Sequence, residues 1–460
     1  MDLYFDRLFD RALDAGRGLV ERRLRLGVTG LAEAGKTVFI TALVQALLHP
    51  AALPRLQVVA EGRLRTVLLR PQPSQDLPRF PFEDCVARLT GRDGPPDWPE
   101  STRNQAELRL SLRYLPGGLM GRLGERVLHL DLFDYPGEWL LDLALLQQDY
   151  ESWSAGALAS LREASALPEA RAFLELLHRL TPDRADAAAE TQAIEAARLF
   201  TAYLLARQRS LGRAAPLGPG RFLLPGELEG SPLLTFAPLP PRGNETTARS
   251  SLRRLMAERY DAYREQVVRA FHQRHFTRLD RQIVLIDLAG HLSAGEERAD
   301  ASAAALDAVL AALRVGGSGW LPRWLSPHID RVLFAATKAD HLPGDQHQGL
   351  EEQLRRKLDA ALRRTAYSGA ELETRVLASL RATREVEARG EARRYVAGTP
   401  YGGEKPLAHY PGRIPQTGRL ANGSFRIERF RPPADLDPTG PWPHLGLDRA
   451  LEFLIGDWVE

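Results

Sequence analysis

The sequence predicts an α/β fold, a phosphate-binding parallel sheet that carries a large all-helical insertion. Three observations lead there. Gly30-Leu31-Ala32-Glu33-Ala34-Gly35-Lys36-Thr37 is a complete G-x-x-x-x-G-K-[ST] loop between a strand pattern and a helix pattern. Ile329-Asp330-Arg331-Val332-Leu333-Phe334-Ala335-Ala336 is an apolar run of parallel-sheet type that delivers Thr337-Lys338-Ala339-Asp340 at its carboxyl end. From Trp139 to about Asp280 the periodicity is helical instead.

Composition narrows the class further. A chain of 460 residues exceeds what one core usually supports, so a nucleotide domain with an insertion is expected. A net charge of +2 with 26% charged residues argues against a dedicated nucleic-acid binder. Cys85 is the sole cysteine, which excludes an intrachain disulfide framework and suits the cytosol. No apolar run reaches the length of about 18 residues that spans a bilayer, and Met1-Asp2-Leu3-Tyr4-Phe5-Asp6 is no signal peptide, so a soluble, cytoplasmic protein is expected. Lysine is nearly absent: four (Lys36, Lys338, Lys357, Lys405) stand against 57 arginines, and two of the four fall inside the motifs quoted above. A guanidinium is too wide and planar to thread between phosphate oxygens as an ammonium does, so even an arginine-dominated chain keeps lysine there.

Taken in order, residues 2–22 read as an amphipathic helix with Leu3, Leu8, Phe9, Ala12, Leu13 and Val20 apolar and Arg7, Arg11, Arg17, Arg22 and Arg23 basic; it either lies on a membrane surface or packs on the nucleotide domain. Leu24 to Thr29 form a short buried strand, and Thr37 to Leu48 a helix closed by His49-Pro50. This order aims loop amides and the positive helix end at phosphates. The amides of Glu33, Ala34, Gly35, Lys36, Thr37 and Val38 would hold them, Gly30 and Gly35 allow close approach, Lys36 neutralises β/γ oxygens, and the Thr37 hydroxyl ligates Mg²⁺. Arg65 to Leu69 is a strand candidate. The Pro- and Asp-rich connection after it (Pro71, Pro73, Pro78, Pro81, Pro95, Pro96, Pro99) looks too polar and broken for core.

Leu108–Leu115 and Arg126–Phe133 alternate with period two around Pro116-Gly117-Gly118, which predicts an antiparallel hairpin. It ends in Asp134-Tyr135-Pro136-Gly137-Glu138, a D-x-x-G turn of the kind in which the aspartate holds Mg²⁺ through water and the glycine N–H meets the γ-phosphate. Phosphate loop, connection, hairpin and D-x-x-G follow in the order of a Ras-like GTPase. That order places Thr102 as the switch residue over Mg²⁺ and the γ-phosphate, although a Ser or Thr there serves equally as a cap. Glu138 takes the position that orients attacking water.

Helices are expected near 139–151, 155–164, 168–180 and 186–212 and from Thr246 to Phe276, with an irregular Pro/Gly-rich crossing loop at 213–244. His272 and His275 stand one turn apart, but no Cys or acidic residue stands at a ligand spacing, so they are read as solvated or capping rather than as metal ligands. Gln282–Asp287 resumes the sheet and opens a second D-x-x-G, Asp287-Leu288-Ala289-Gly290. Two assignments of the switch aspartate are then open; Asp134 is preferred, since Asp287 falls where the fourth strand of the Ras-like order belongs. In Thr337-Lys338-Ala339-Asp340 the carboxylate of Asp340 accepts from N1–H and N2–H₂ of guanine, a donor pair adenine lacks, and the Lys338 stem lies along the base. A helix at 349–365 and a last strand Thr374–Leu380 lead to Arg381-Ala382-Thr383, where the Ala382 N–H would meet the guanine carbonyl.

Together, Gly-Leu-x-x-Ala-Gly-Lys-Thr, Asp134-Tyr135-Pro136-Gly137-Glu138-Trp139, the strand Gln282–Asp287 after Leu279-Asp280-Arg281, Phe334-Ala335-Ala336-Thr337-Lys338-Ala339-Asp340-His341, Leu380-Arg381-Ala382-Thr383 and Leu447-Asp448-Arg449-Ala450-Leu451-Glu452-Phe453-Leu454 resemble the YcjX-like bacterial P-loop proteins nearly end to end. The sequence departs from them at Asp287-Leu288-Ala289-Gly290, where a Cys-containing turn is usual. The resemblance implies a Ras-like GTP-binding domain with a helical insertion, a bacterial stress-associated role, and a membrane-protein partner of the YcjF type, which would bring a cytoplasmic protein to the inner membrane peripherally. The expectation is therefore a GTP/GDP switch with slow Mg²⁺-dependent hydrolysis, residues 1–138 and 281–460 forming the nucleotide domain and 139–280 the insertion. Its rivals are a nucleotide-dependent scaffold without turnover and an ATP-driven enzyme.

Overall fold

The computed structural model describes residues 21–30, 33–100, 104–118, 121, 124–211, 218–242, 248–314, 329–365, 370–387, 393–414 and 423–460. One seven-stranded sheet is built from β1 (Glu21–Gly30), β2 (Leu64–Arg70), β3 (Ala106–Tyr114), β4 (Arg126–Asp134), β5 (Arg281–Ile286), β6 (Arg331–Ala336) and β7 (Glu371–Val376), in the order β2-β3-β4-β1-β5-β6-β7. β4, β1, β5, β6 and β7 run parallel, while β3 lies antiparallel between β4 and β2. The expected hairpin is therefore β3–β4, and β1 sits between the two strands that end in D-x-x-G turns. A small antiparallel sheet of β8 (Arg384–Glu387), β9 (Arg394–Gly398) and β10 (Leu407–His409) follows, which the sequence pattern did not suggest.

The helices are α1 (Lys36–Leu48) and α2 (Phe82–Thr90); then, between β4 and β5, α3 (Glu138–Asp142), α4 (Tyr150–Glu163), α5 (Pro168–Arg179), α6 (Ala189–Leu211), α7 (Gly220–Leu223), α8 (Leu252–Tyr263) and α9 (Ala270–Arg274); and finally α10 (Leu288–Ser293), α11 (Glu296–Arg314), α12 (His347–Thr365) and α13 (Leu447–Ile455). β5 and β6 are apolar without alternation because both of their faces are covered. Leu24, Leu26, Val28, Ile283, Leu285, Leu333 and Ala335 enter one core with α1, α2 and α13. Val284, Ile286, Val332, Phe334 and Ala336 enter the other, which continues without a break into α4–α8 and α11–α12. α1 is apolar all round, as a helix enclosed by protein must be: Phe39, Ile40, Leu43, Val44 and Leu47 have no exposed surface. Its buried Gln45 amide donates to the carbonyls of Pro438 and Gly440 at 3.0 and 2.9 Å, which satisfies a polar group that would otherwise destabilise the core.

Several expectations change. The Pro-rich connection is not excluded from the core: Phe80, Phe82, Cys85 and Leu89 are buried there, with α2 closed by Gly91 in the left-handed conformation. The segment expected as an irregular crossing loop at 213–244 carries the short helix α7 and is internal over its described part, where Gly220, Arg221, Phe222, Leu223, Phe236 and Leu239 are buried. The long helix from Thr246 is broken into α8 and α9 by a π segment at Arg264–Arg269, and the last strand ends at Val376 rather than Leu380. Residues 2–20 of the expected first helix lie outside the described residues, and Glu21, Arg22 and Arg23 belong to β1. No helix among the described residues is long and apolar enough to cross a membrane.

Candidate functional site

The parallel strands bring their carboxyl ends, and thus the loops after β1, β4, β5 and β6, to one edge of the sheet, where open α/β sheets bind ligands. β1 ends at Gly30, where a Cβ would stand 3.0 Å from the Leu285 side chain, a closer approach than ordinary contact. Glu33 (φ 67°) and Gly35 (φ 79°) take left-handed backbone, and Gly35 precedes the first residue of α1. No acidic residue stands in the first turn of this 13-residue helix, which leaves its positive end available to an anion. Leu31, Ala32 and Thr102 lie outside the described residues.

Lys36 begins α1 and its Nζ lies 2.5 Å from Asp134 Oδ1 at the end of β4. The register Val28↔Asp134 sets the end of β4 beside β1, just before the loop that leads to Lys36. The pair is in ionic contact but is not aligned as a hydrogen bond, and neither carboxylate oxygen of Asp134 has a hydrogen-bond partner among the described residues, although the residue is only 1% exposed. A buried carboxylate left this way is costly unless a cation or water completes it. Its donor set therefore fits a hydrated Mg²⁺ beside a phosphate. The Thr37 hydroxyl is buried nearby and donates to the Glu100 carbonyl at 3.4 Å.

The D-x-x-G turn is clamped from three sides. The Thr29 hydroxyl donates to the Tyr135 carbonyl at 3.3 Å, and the Tyr135 hydroxyl to Gln282 Oε1 at 2.8 Å. Gly137 lies so near β1 that a Cβ would stand 2.5 Å from the Gly30 carbonyl oxygen. Behind the turn, Gly220 packs on the Glu138 backbone, where a Cβ would meet the carbonyl oxygen at 2.1 Å. Asp142 accepts from the Gly220 N–H and the Tyr263 hydroxyl, both at 2.6 Å. The Arg221 guanidinium stacks 3.2 Å from the Trp139 ring centre, and Trp139 Nε1 donates to the Leu224 carbonyl at 3.3 Å. Burial pushes the Asp142 carboxyl up to about 6, against its hydrogen bonds. Asp142, Gly220 and Arg221 were not found by sequence reasoning; no motif signals them, because their partners are distant in the chain. His275 is not solvated: it is stacked on Phe133 at 5.2 Å, and burial lowers its pKa to about 4.

On the base side, the Thr337 N–H donates to the Ile286 carbonyl at 2.9 Å and Ala339 N–H to Leu377 at 3.1 Å, which fixes the turn after β6 between its neighbours. Lys338 takes left-handed backbone (φ 57°), a conformation that for a non-glycine residue costs on the order of 1 kcal/mol and concentrates at functional sites. Its Nζ donates to Asp287 Oδ2 at 2.6 Å. Burial opposes ionisation of Asp287, yet the Lys338 ammonium brings its pKa below the usual carboxylate range. Asp340 is buried, and its Oδ2 accepts from the Ala382 N–H at 2.8 Å. The amide expected to meet a guanine carbonyl is thus directed at the carboxylate expected to read the base. Arg381 sits beside it, its N–H donated to the Pro443 carbonyl at 2.8 Å. The two D-x-x-G aspartates consequently stand in different halves: Asp134 with the phosphate-loop lysine, Asp287 with the lysine of Thr337-Lys338-Ala339-Asp340.

Compared with known proteins, the chain matches the family described as YcjX-like family, DUF463, over residues 24–459. It belongs to that family. A relative from Escherichia coli (strain K12), named Ras-like GTPase YcjX, is 39% identical over 464 residues, covering 95% of this chain and 96% of the relative. A second from Shewanella oneidensis (strain MR-1), of the same name, is 34% identical over 490 residues and covers 100% and 99%. Family membership thus extends through the helical block between β4 and β5 as well as through the sheet.

Proposed function

We propose that this YcjX-like chain is a GTP- and GDP-binding switch that hydrolyses GTP slowly with Mg²⁺, on a Ras-like P-loop domain of residues 1–138 and 281–460 with 139–280 as its helical insertion. The observation that carries the reading is the buried, incompletely bonded carboxylate of Asp134 beside Lys36 at the start of α1; the relatives' name, Ras-like GTPase, supports it. Gly30 and the amides from Glu33 to Val38 would cradle the phosphates with Lys36. Thr37, Thr102 and Asp134, the last through water, would hold the metal, whose charge neutralises the β/γ oxygens when bound. Gly137 would offer its N–H to the γ-phosphate. Thr337, Lys338, Asp340, Arg381 and Ala382 would frame the guanine. Glu138 would orient the water that attacks the γ-phosphorus as the bond to the β–γ bridging oxygen breaks; a carboxylate there repels the phosphate unless it acts as a base or stays protonated. The family resemblance further supports a bacterial stress response as the setting and a YcjF-type membrane protein as the partner, met at the inner membrane.

A thermal-shift panel of GDP, GTP, ADP and ATP with Mg²⁺ tests the reading. Ligand at 100 times its Kd adds about 2.7 kcal/mol, and a chain of this length unfolding as one unit has an unfolding entropy near 1 kcal/mol per kelvin, so a shift of about 3 °C is expected for guanine nucleotides alone. Lys36→Ala should abolish the triphosphate shift with the fold intact. Equal shifts with adenine nucleotides, or none, refute the reading, and single-turnover phosphate release separates a GTPase from a nucleotide-ordered scaffold.

A further inference from the structure

The two motif lysines are held alike. Lys36 pairs with Asp134 at the end of β4 and Lys338 with Asp287 at the end of β5, and β4 and β5 are the two neighbours of β1. The first pair serves the phosphate and metal half of the proposed mechanism. In the second, Lys338 is placed at the guanine but Asp287 has no role, although it opens the other D-x-x-G turn and is buried.

The Asp287 carboxylate divides its work. Oδ1 accepts from the Gly290 N–H at 2.9 Å, while Oδ2 accepts from Lys338 Nζ at 2.6 Å. Gly290 wraps closely around it, since a Cβ there would stand 2.7 Å from the carboxylate atoms. The carboxylate is therefore fixed in direction as well as in place. Lys338 is fixed at its other end by its left-handed backbone and by the Thr337 and Ala339 hydrogen bonds to β5 and to the chain after β7. A lysine stem normally loses much rotamer freedom when a ligand orders it; here both ends are already held.

We propose that Asp287 is a positioning residue of the base site, holding the Lys338 ammonium so that the lysine stem forms one wall of the guanine pocket. The proposal rests on the guanine-nucleotide reading above. Asp287→Asn separates the two bonds: its amide oxygen still accepts from Gly290, so the cap of α10 survives, while the charge that holds Lys338 is gone. Titration calorimetry should find GDP bound about tenfold more weakly, with the same loss when EDTA replaces Mg²⁺. In a Lys338→Met background the same change should alter GDP affinity less than about twofold, because the partner it acts through is absent.

A wild-type protein that binds no GDP refutes the guanine reading, and this proposal with it. With wild-type binding intact, the positioning role alone is overturned if Asp287→Asn binds GDP as wild type does, if its loss appears only with Mg²⁺, or if the full loss persists in Lys338→Met. A nucleotide-free melt checks the fold of each variant. Should Asp287→Asn not fold, the pair is broken from its more exposed side: Lys338→Met with a tenfold loss supports the role, and Lys338→Met with wild-type affinity overturns it.

Discussion

Gly137→Ala is a sharp test because the backbone there (φ −64°, ψ −27°) suits any residue, so the whole penalty is steric. The added Cβ would sit 2.5 Å from the Gly30 carbonyl oxygen and 3.0 Å from its carbon, where ordinary contact begins at 3.4 Å. Gly30 is held on one side by its pairing with Leu285, and β1 is flanked on both sides as far as Val28. The turn from Tyr135 to Gly137 must therefore move by the difference, 3.4 minus 2.5 or about 0.9 Å. Overpacking of this kind destabilises by about 1–3 kcal/mol, and misplacing a reacting geometry by about 1 Å costs about 100-fold in rate. Gly156→Ala is the matched control: it lies in α4 with nothing within 4 Å of a Cβ, and should stabilise by about 0.5–1 kcal/mol. Urea unfolding and single-turnover GTP hydrolysis read both. If Gly137→Ala matches the parent in stability and rate, the turn does not depend on its contact with β1 and the argument fails.

Asp134→Ala should abolish the Mg²⁺ dependence of GTP hydrolysis, whereas Asp287→Ala should leave a Mg²⁺-dependent rate; the opposite pattern would show that the assignment is wrong by one strand. Asp340→Asn should bind GTP at least tenfold more weakly and XTP better, because an amide donor facing the guanine donors costs on the order of 1–3 kcal/mol; equal GTP affinity by calorimetry would discard the guanine reading of this carboxylate. Asp142 has a folded-state pKa raised from 3.8 to about 6, so the folded protein holds its proton more tightly and this site's contribution to stability is lost as pH rises between those values, by about 3 kcal/mol in all. Asp142→Asn should remove that loss, gaining on the parent at pH 8 and converging with it below pH 4 in urea unfolding; a pH-independent gap would refute the assignment.

Much of this architecture was legible in the sequence, for identifiable reasons. β3, β4, β5 and β6 announce themselves by alternation or by apolar runs, and α1 by its glycine loop. α2 was missed although Phe82, Cys85 and Leu89 fall at helical spacing and Gly91 closes it; the flanking prolines drew attention from a short amphipathic signal. β7 was shifted because Leu377 and Leu380, buried beyond the strand, look more strand-like than its own exposed Glu371 and half-buried Glu373 and Arg375. The strands β8–β10 are three to five residues long, and no periodicity distinguishes them. The contacts that shape the site are harder still: Lys338 with Asp287, Gly220 with Glu138 and Tyr263 with Asp142 join residues 51, 82 and 121 positions apart. Residue type alone cannot report such pairings, which arise only when the chain is folded.

The second core carries a further consequence. Val284, Ile286, Val332 and Phe334 of the sheet share it with Trp153, Phe200, Phe236 and Tyr260 of the segment between β4 and β5. The two places where the chain enters and leaves that segment are therefore crossings in the backbone, not seams in the packing. Cutting there would leave each fragment with an apolar face the other had covered, so limited proteolysis should not yield a folded helical piece, and amide exchange in β5 and α8 should rise together under denaturant. A packed contact of that kind resists a free swing about two strands of chain. Any rearrangement of the helical segment that accompanies nucleotide turnover would then be a shear of small, sliding displacements across the sheet face.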